Sequence, residues 1–157
     1  MLEQIHILLT YRCTFECNHC FLYCGPHEAG TFTRDRIAAV LDQAKEIGSV
    51  GLIYFEGGEP FLYYAQMVEG IRMARDMSFE TGIVTNGYWA TSAEDAEVWL
   101  RPLVELEVAD LSMSDDDFHG SDGEAAPVKA AIAAADKLGL PVNIIRVDKP
   151  TPESDAD

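Results

Sequence analysis

Near the start of the chain an apolar run, Ile5-His6-Ile7-Leu8-Leu9, is followed closely by Cys13-Thr14-Phe15-Glu16-Cys17-Asn18-His19-Cys20. The apolar run predicts a β-strand, so the cysteines lie in the loop beyond its carboxyl end. Three thiols with the spacing C-x3-C-x2-C leave one unpaired, and a disulfide between such near neighbours is strained. Thiolates that converge on one loop are typical of a metal ion or an iron–sulfur cluster.

The spacing of the cysteines leaves three kinds of site open. A structural zinc ion requires four protein ligands, and Cys24, His19 or His27 would complete such a set. A ferredoxin-like run is a second possibility, because Gly25-Pro26 follows Cys24, but that run has C-x2-C-x2-C spacing and the first gap here is wider. The third is a four-iron cluster with three thiolate ligands and one open iron. Ligand chemistry favours iron–sulfur over zinc.

The composition describes one acidic globular domain. The chain has 157 residues, of which 48% are hydrophobic, and a formal net charge of −16. This charge argues against binding to nucleic acid or to an anionic membrane, because both require clustered Lys and Arg. The sequence has no basic segment before an apolar N-terminal run and no apolar stretch that would span a bilayer. All four cysteines are crowded into one short segment, which favours a reducing cytoplasm over a secreted disulfide framework.

Apolar periodicity predicts that strands and helices alternate. Several residues mark helix ends. Thr33 is a candidate N-cap and Gly48 a candidate C-terminal stop, and Ser92 with Asp95 forms a capping-box pattern. Pro102 is expected to kink or restart the helix that follows Ser92. Strands are predicted at 5–10, 52–55, 81–85, 109–113 and 142–147, and helices at 34–47, at roughly 62–77, after 92, and from 127 to 138 with Gly139 as the stop. This order predicts an α/β fold with a parallel βα repeat and right-handed crossovers.

Polar or glycine-rich segments follow the predicted strands. They are Cys13–Cys20 after the first strand, Gly57–Pro60 after the second, Asn86-Gly87 after the third and Ser112–Asp117 at the end of the fourth. The carboxyl ends of parallel strands share one edge of the sheet, where barrels and open α/β sheets build their active sites. We therefore expect the four segments to converge on one site that contains the cysteines.

Two of these segments together resemble the radical S-adenosylmethionine (radical SAM) superfamily. They are the C-x3-C-x2-C loop after the first strand and Gly57-Gly58-Glu59-Pro60 at the end of the second. The resemblance implies that Cys13, Cys17 and Cys20 hold a 4Fe–4S cluster and that Cys24 does not. It also implies that SAM chelates the fourth iron and is cleaved reductively to a 5′-deoxyadenosyl radical, which abstracts a hydrogen from the substrate.

The resemblance further implies which residues contact SAM. Glycine lets backbone carbonyls approach the methionyl ammonium, the end of the third strand lies near the ribose and carboxylate, and the residue before the last cysteine lies near the adenine. The set is His19, Gly57, Gly58, Glu59, Pro60, Thr85, Asn86, Ser112, Ser114 and Arg146. Asp116 or His119 is expected to touch the substrate. The competing interpretations are plain turns, solvated loops and surface side chains.

The family core usually has six βα units, whereas this chain has five predicted strands. The resemblance therefore implies a partial (βα) TIM-type barrel over residues 1–147, with about five strands and four helices and open on one side. Residues 148–157 are expected to be a disordered polar tail. An open sheet leaves a strand edge unpaired, so a second copy or a partner chain is expected to cover it.

The predicted function is that of a radical SAM enzyme core in the cytoplasm. Its expected partners are a small-molecule or peptide substrate and a reductant such as flavodoxin or ferredoxin, with no nucleic acid and no membrane. The alternative is a non-catalytic iron–sulfur or zinc-binding module, or a fragment that needs a partner for activity. The segment Gly57–Pro60 favours the enzyme, because a zinc module has no use for it.

Overall fold

The computed structural model describes residues 1–119 and 125–148, and in these ranges five strands alternate with four helices. The elements are β1 (Gln4–Thr10), α1 (Arg34–Ile47), β2 (Leu52–Gly57), α2 (Tyr64–Asp76), β3 (Glu80–Thr85), α3 (Ala93–Glu105), β4 (Asp110–Ser114), α4 (Ala126–Leu138) and β5 (Val142–Ile145). The strands form one sheet in the order β1-β2-β3-β4-β5, and every neighbouring pair is parallel. The predicted α/β fold with a parallel sheet is confirmed. Of the predicted tail at 148–157, all but Asp148 lies outside the described residues.

Three predicted elements differ from the observed ones by two residues at one end. A short 3-10 helix, Pro60–Tyr63, precedes α2, so the second helix becomes α-helical only at Tyr64 and not at residue 62. The fifth strand ends at Ile145 and does not reach residue 147. The backbone N–H of Val147 instead donates to the carboxylate of Asp116 at 3.1 Å, which takes the chain out of the sheet. Strand β2 extends two residues beyond its prediction, to Gly57, and β1, β3 and β4 lie within one residue of their predicted bounds.

Helix α3 continues through Pro102, so the helix does not restart there. A kink at Pro102 stays a prediction. Proline lacks the N–H that would donate to the carbonyl four residues earlier, and its ring crowds that carbonyl. The residue in question is Val98, which is exposed, so water can reach the carbonyl on this side of the helix. Pro102 also lies in the last turn of α3, where the helix is about to end in any case.

The predicted helix caps are confirmed, and the helices are short. Thr33 accepts a hydrogen bond from a first-turn N–H of α1, and Gly48 ends that helix with a left-handed φ of 76°. Ser92 accepts from the N–H of Asp95 at 3.0 Å, which forms one half of the capping box. The longest helix, α1, has 14 residues. Within residues 1–119 and 125–148, none of the helices combines the length and the apolar character needed to cross a membrane.

One face of the sheet packs against the helices and forms the hydrophobic core. The strand side chains Ile7 and Phe55 are buried there together with the helix side chains Leu41, Ile71 and Leu103. Successive strand residues point to opposite faces, so the residues between these buried ones lie on the other face. The core therefore fixes which strand side chains are available for a site.

The other face of the sheet carries a polar row that crosses four strands. The register pairs His6 with Tyr54, Tyr54 with Gly82, and Gly82 with Asp110. The Tyr54 ring stacks on His6 with centroids 4.8 Å apart, and its hydroxyl donates to Asp110 at 3.0 Å. A Cβ at Gly82 would lie 2.4 Å from the Tyr54 ring, so glycine is required for the ring to lie across β3. The row links β1 to β4 independently of the core.

Candidate iron–sulfur and SAM site

The loops at the carboxyl ends of β1 to β4 surround one cavity of about 290 Å³. Each of the four segments that were predicted to converge contributes to its lining, so this prediction is confirmed. The lining residues are Cys13, Phe15, Cys17, His19, Cys20, Phe21, Leu22, Cys24, Glu56, Gly57, Gly58, Val84, Thr85, Asn86, Ser114, Asp116, His119, Ile145 and Val147.

Three half-buried free thiols, Cys13, Cys17 and Cys20, lie on this cavity. Burial, and after it the neighbouring charges of Cys13 and Cys20, raise the pKa of Cys17 to about 11. Burial also raises the pKa of Cys13. The thiols repel one another as thiolates, and a positively charged metal centre among them removes that repulsion and displaces their protons.

Several N–H groups donate to the sulfur atoms of the loop. The backbone N–H of Phe15 donates to Cys13 Sγ at 3.5 Å, and that of Cys24 donates to Cys20 Sγ at 3.4 Å. The side-chain amide of Asn86 donates to Cys13 Sγ at 3.6 Å. Donors of this kind stabilise thiolates and tune iron–sulfur clusters. The three thiols and their donors therefore fit a cluster held by three thiolates.

Gly57 and Gly58 bring the end of β2 against the backbone of the cysteine loop. Gly57 has a φ of 129°, and a Cβ there would lie 2.5 Å from the carbonyl oxygen of Thr10. A Cβ at Gly58 would lie 2.2 Å from the carbonyl oxygen of Arg12. These positions require glycine because backbone approaches backbone. Their predicted approach to a ligand stays a prediction, and both residues line the cavity.

Glu59 lies behind the cavity wall and is fully buried. Its carboxylate accepts from the backbone N–H of Phe61 at 3.0 Å, the hydroxyl of Thr85 at 2.8 Å and the backbone N–H of Asn86 at 2.8 Å. Burial raises the pKa of Glu59 to about 7, and these three donors oppose the rise. Pro60 is also buried and begins the 3-10 helix. Neither Glu59 nor Pro60 lines the cavity, so both support it from behind.

Thr85 and Asn86 join the end of β3 to the site. The Thr85 hydroxyl, which donates to Glu59, accepts from the indole N–H of Trp89 at 3.0 Å. The Asn86 amide donates to the hydroxyl of Thr14 in the cysteine loop at 3.0 Å. The structure thus places both predicted residues on the same cavity as the cysteines.

His19 lies among aromatic rings. Its ring centroid is 4.3 Å from that of Phe118 and 5.5 Å from that of His119. His119 Nδ1 lies 2.7 Å from Asp116 Oδ1. Burial raises the pKa of Asp116, but hydrogen bonds, first from His119 and then from the backbone N–H of Val147, outweigh burial and lower it overall. His19 Nδ1 is buried and has no hydrogen-bond partner in the described part of the chain.

Ligand atoms of His19, Asp116 and His119 lie within 4.8 Å of one another. Two imidazoles and a carboxylate are a ligand set that divalent metals accept. Asp116 Oδ1 is already engaged with His119, and this contact fixes the orientation of the imidazole. Asp116 and His119 both lie on the cavity wall, and their contact with a substrate stays a prediction.

Of the remaining predicted SAM contacts, one lines the cavity and two do not. Ser112 and Ser114 lie on the same face of β4, as their alternation predicts, but only Ser114 lines the cavity. The Ser112 hydroxyl donates to Asp110 at 2.7 Å and belongs to the polar row. Arg146 is largely exposed, lies 3.6 Å from the carboxylate of Asp115, and is not part of the lining.

Two further side chains line the cavity: Glu56, which the sequence analysis did not identify as a site residue, and Cys24, which it considered only as a ligand of a zinc ion or as part of a ferredoxin-like run. Glu56 lines the cavity, and its carboxylate lies 3.0 Å from His6 Nδ1. Its position in β2, next to the core residue Phe55, would have placed it on the face opposite the core. Cys24 also lines the cavity, and burial raises its pKa to about 12. Only its closeness in sequence to Cys20 indicated this position.

Comparisons with known proteins define the class to which this fold and site belong. The Radical SAM superfamily profile matches residues 7–156. The tungsten-containing aldehyde ferredoxin oxidoreductase cofactor-modifying protein of Pyrococcus furiosus is 30% identical over 108 residues, or 68% of this chain and 29% of that protein. HydG, a maturase of the FeFe-hydrogenase, has a TM-score of 0.67 at 14% identity over 94% of this chain and 35% of its own. BtrN in complex with AdoMet and 2-DOIA has a TM-score of 0.58 at 18% identity over 93% of this chain and 57% of its own.

The chain belongs to the radical SAM superfamily. In the described part of the chain, five parallel strands alternate with four α-helices, which is the partial-barrel fold of the radical SAM structures it matches, so the predicted fold class is confirmed. The cofactors of the superfamily are a 4Fe–4S cluster and SAM. The chain spans between 26% and 40% of the length of five curated relatives that it matches.

Proposed function

We propose that this chain is the radical-generating core of a radical SAM enzyme, with Cys13, Cys17 and Cys20 as the ligands of the cluster. The observation that carries the proposal is the convergence of these three free thiols with the backbone of Gly57 and Gly58 on one cavity. Three thiolates leave one iron of a four-iron cluster open, and an open position is what a catalytic metal centre requires.

The charge of the cavity supports SAM as the ligand. The described lining carries the carboxylates of Glu56 and Asp116 and has no Lys or Arg. SAM has a sulfonium and an ammonium group against one carboxylate, so its net charge is positive. An acidic cavity attracts such a cation. Hydrogen bonds, the first of them from His119, lower the pKa of Asp116 and keep its carboxylate ionised.

A 4Fe–4S cluster held by Cys13, Cys17 and Cys20 would supply, once reduced, the electron for the reductive cleavage of bound SAM. The chain's own residues support the cavity and limit its exposure to water. Glu59 fixes the ends of β2 and β3 relative to each other through Asn86, and the apolar side chains of Phe15, Leu22 and Val84 line the cavity, which limits the access of water. The substrate that we propose is a small molecule or a peptide, and the reductant a flavodoxin or ferredoxin.

The test is anaerobic reconstitution with iron and sulfide, followed by SAM and a strong reductant. The measurements are iron and sulfide per chain and the formation of 5′-deoxyadenosine by mass spectrometry. Cys17→Ala should lose the cluster and the product, because it removes one of three ligands. Cys24→Ala is the matched control, since Cys24 lines the same cavity without being a proposed ligand, and it should keep both.

Two results would overturn the proposal. The first is a wild-type chain that binds zinc and takes up no iron and sulfide, which would favour a zinc module. The second is a Cys24→Ala variant that loses the cluster as completely as Cys17→Ala does, which would make Cys24 a fourth ligand and leave no iron open to SAM.

A further inference from the structure

Asn86 is held in an orientation that a turn alone does not require. Its backbone N–H donates to Glu59 at 2.8 Å, and its Oδ1 accepts from the backbone N–H of Tyr88 at 3.1 Å. An Asx turn of this kind uses only the side-chain oxygen. The amide nitrogen Nδ2 is nevertheless engaged as well, because it donates to Thr14 Oγ1 at 3.0 Å and to Cys13 Sγ at 3.6 Å.

The hydrogen-bond partners decide which way the Asn86 amide faces. If the amide were flipped, its NH2 group would meet the N–H of Tyr88, and two donors would oppose each other. Asn86 is 9% exposed, and Glu59, which anchors its backbone, is completely buried. The N–H group directed at Cys13 is therefore fixed in a part-buried contact, where a hydrogen bond acts more strongly than it does in water.

We propose that Asn86 sets the reduction potential of the cluster through its N–H···S hydrogen bond to Cys13. The inference rests on the proposed function, in which Cys13 is a cluster ligand. Reduction adds negative charge that the thiolate sulfurs share, and an N–H group aimed at one sulfur stabilises the reduced form. Asn86 thus raises the potential and makes the cluster easier to reduce. It acts through Cys13 and is a positioning residue.

Asn86 donates to the sulfur of Cys13 through its side chain, so a substitution can remove this donor. The other donors to the sulfur of Cys13 are the backbone N–H groups of Thr14 and Phe15, which a side-chain change leaves in place. Asn86→Asp keeps the turn oxygen and replaces the donor with a charged acceptor. Asn86→Ala removes the donor without adding charge. Thr14→Val removes the other partner of the amide and leaves its contact with Cys13.

The test is a redox titration of the reconstituted cluster, followed by electron paramagnetic resonance in the absence of SAM. At a fixed solution potential, Asn86→Ala should lower the ratio of reduced to oxidised cluster by a factor of about 3. Asn86→Asp should lower it by a factor of about 10 or more, which corresponds to about 59 mV for one electron. Thr14→Val should stay within a factor of about 2 of wild type. Iron content and urea unfolding are measured in parallel.

A second measurement uses the wild-type sequence. With asparagine labelled with ¹⁵N in the side-chain amide, the reduced cluster should show a ¹⁵N coupling in pulsed electron paramagnetic resonance. The coupling should persist in Asn18→Ala, the matched control within the cysteine loop. Absence of the coupling overturns the inference, and so do potentials in both Asn86 variants that equal the wild-type value. A wild-type chain that takes up no cluster overturns the proposed function itself.

Discussion

Replacing Glu59 by Gln should change how the stability of the chain depends on pH. Glu59 is fully buried, and three donors, from Phe61, Thr85 and Asn86, converge on its carboxylate. Burial nevertheless dominates and raises the pKa from 4.5 to about 7. The folded chain therefore binds a proton at Glu59 more tightly than the unfolded chain does.

The sign and size of the effect follow from this difference in proton binding. The stabilisation due to the proton is complete below pH 4.5 and is lost as the pH rises toward about 7. At about 1.4 kcal/mol per pKa unit, wild type should lose roughly 2 kcal/mol between about pH 5.5 and about pH 8. Glu59→Gln does not titrate there, but its NH2 group faces one of the three donors, which costs about 1–3 kcal/mol. Its destabilisation relative to wild type should thus be largest at the lower pH.

The assay is urea unfolding of the cluster-free, reduced chain, followed by circular dichroism at the two pH values. The control is Glu105→Gln, at an exposed position on α3, which should show the same pH dependence as wild type. The quantity to compare is the free energy of unfolding of each variant relative to wild type. If the destabilisation by Glu59→Gln is constant or grows with pH, the three donors keep Glu59 ionised, and the reasoning from burial is refuted.

Three further substitutions test the packing. Gly58→Ala places a Cβ 2.2 Å from the carbonyl oxygen of Arg12, so thermal unfolding should show a loss of stability of about 1–3 kcal/mol, and reconstitution should give a lower iron content. Normal stability with full iron content would contradict the close approach. Ser92→Ala removes the α3 cap and should cost about 1 kcal/mol, or about 2–4 °C in Tm; an unchanged Tm would count against the cap. Leu103→Ala, in the core, should lower the free energy of unfolding in urea by about 2–5 kcal/mol. Val98→Ala, at an exposed position of the same helix, should change it by less than about 0.5 kcal/mol. Equal effects would refute the assignment of the buried and exposed faces of α3.

Much of the fold was predictable because it depends on local rules. Apolar periodicity placed the alternating strands and helices, and Thr33, Gly48 and Ser92 marked helix ends through hydrogen bonds that span only a few residues. The parallel βα order then implied that the strand ends share one edge. One difference from the prediction occurred where a distant partner decides. The early end of β5 depends on the contact of Val147 with Asp116, 31 residues away.

The sequence predicted which residues belong to the candidate site better than it predicted what each side chain does there. Glu59 was expected to contact SAM, but it lies behind the cavity wall and holds the ends of two strands together. Ser112 was expected to contact SAM together with Ser114, but it does not line the cavity, and its hydroxyl donates to Asp110. In both cases the residue lies on the predicted element. A hydrogen-bond partner on another part of the chain decides what its side chain does.

The sequence by itself determined the order of the elements, the loop that carries the cysteines and the edge of the sheet to which the polar segments belong. These depend on periodicity, turn residues and ligand spacing, which act over short stretches of chain. Only the tertiary structure decided that the amide of Asn86 reaches Cys13, 73 residues earlier. Such a contact depends on strand register and on the rotamer of one side chain, and neither is encoded in a local pattern.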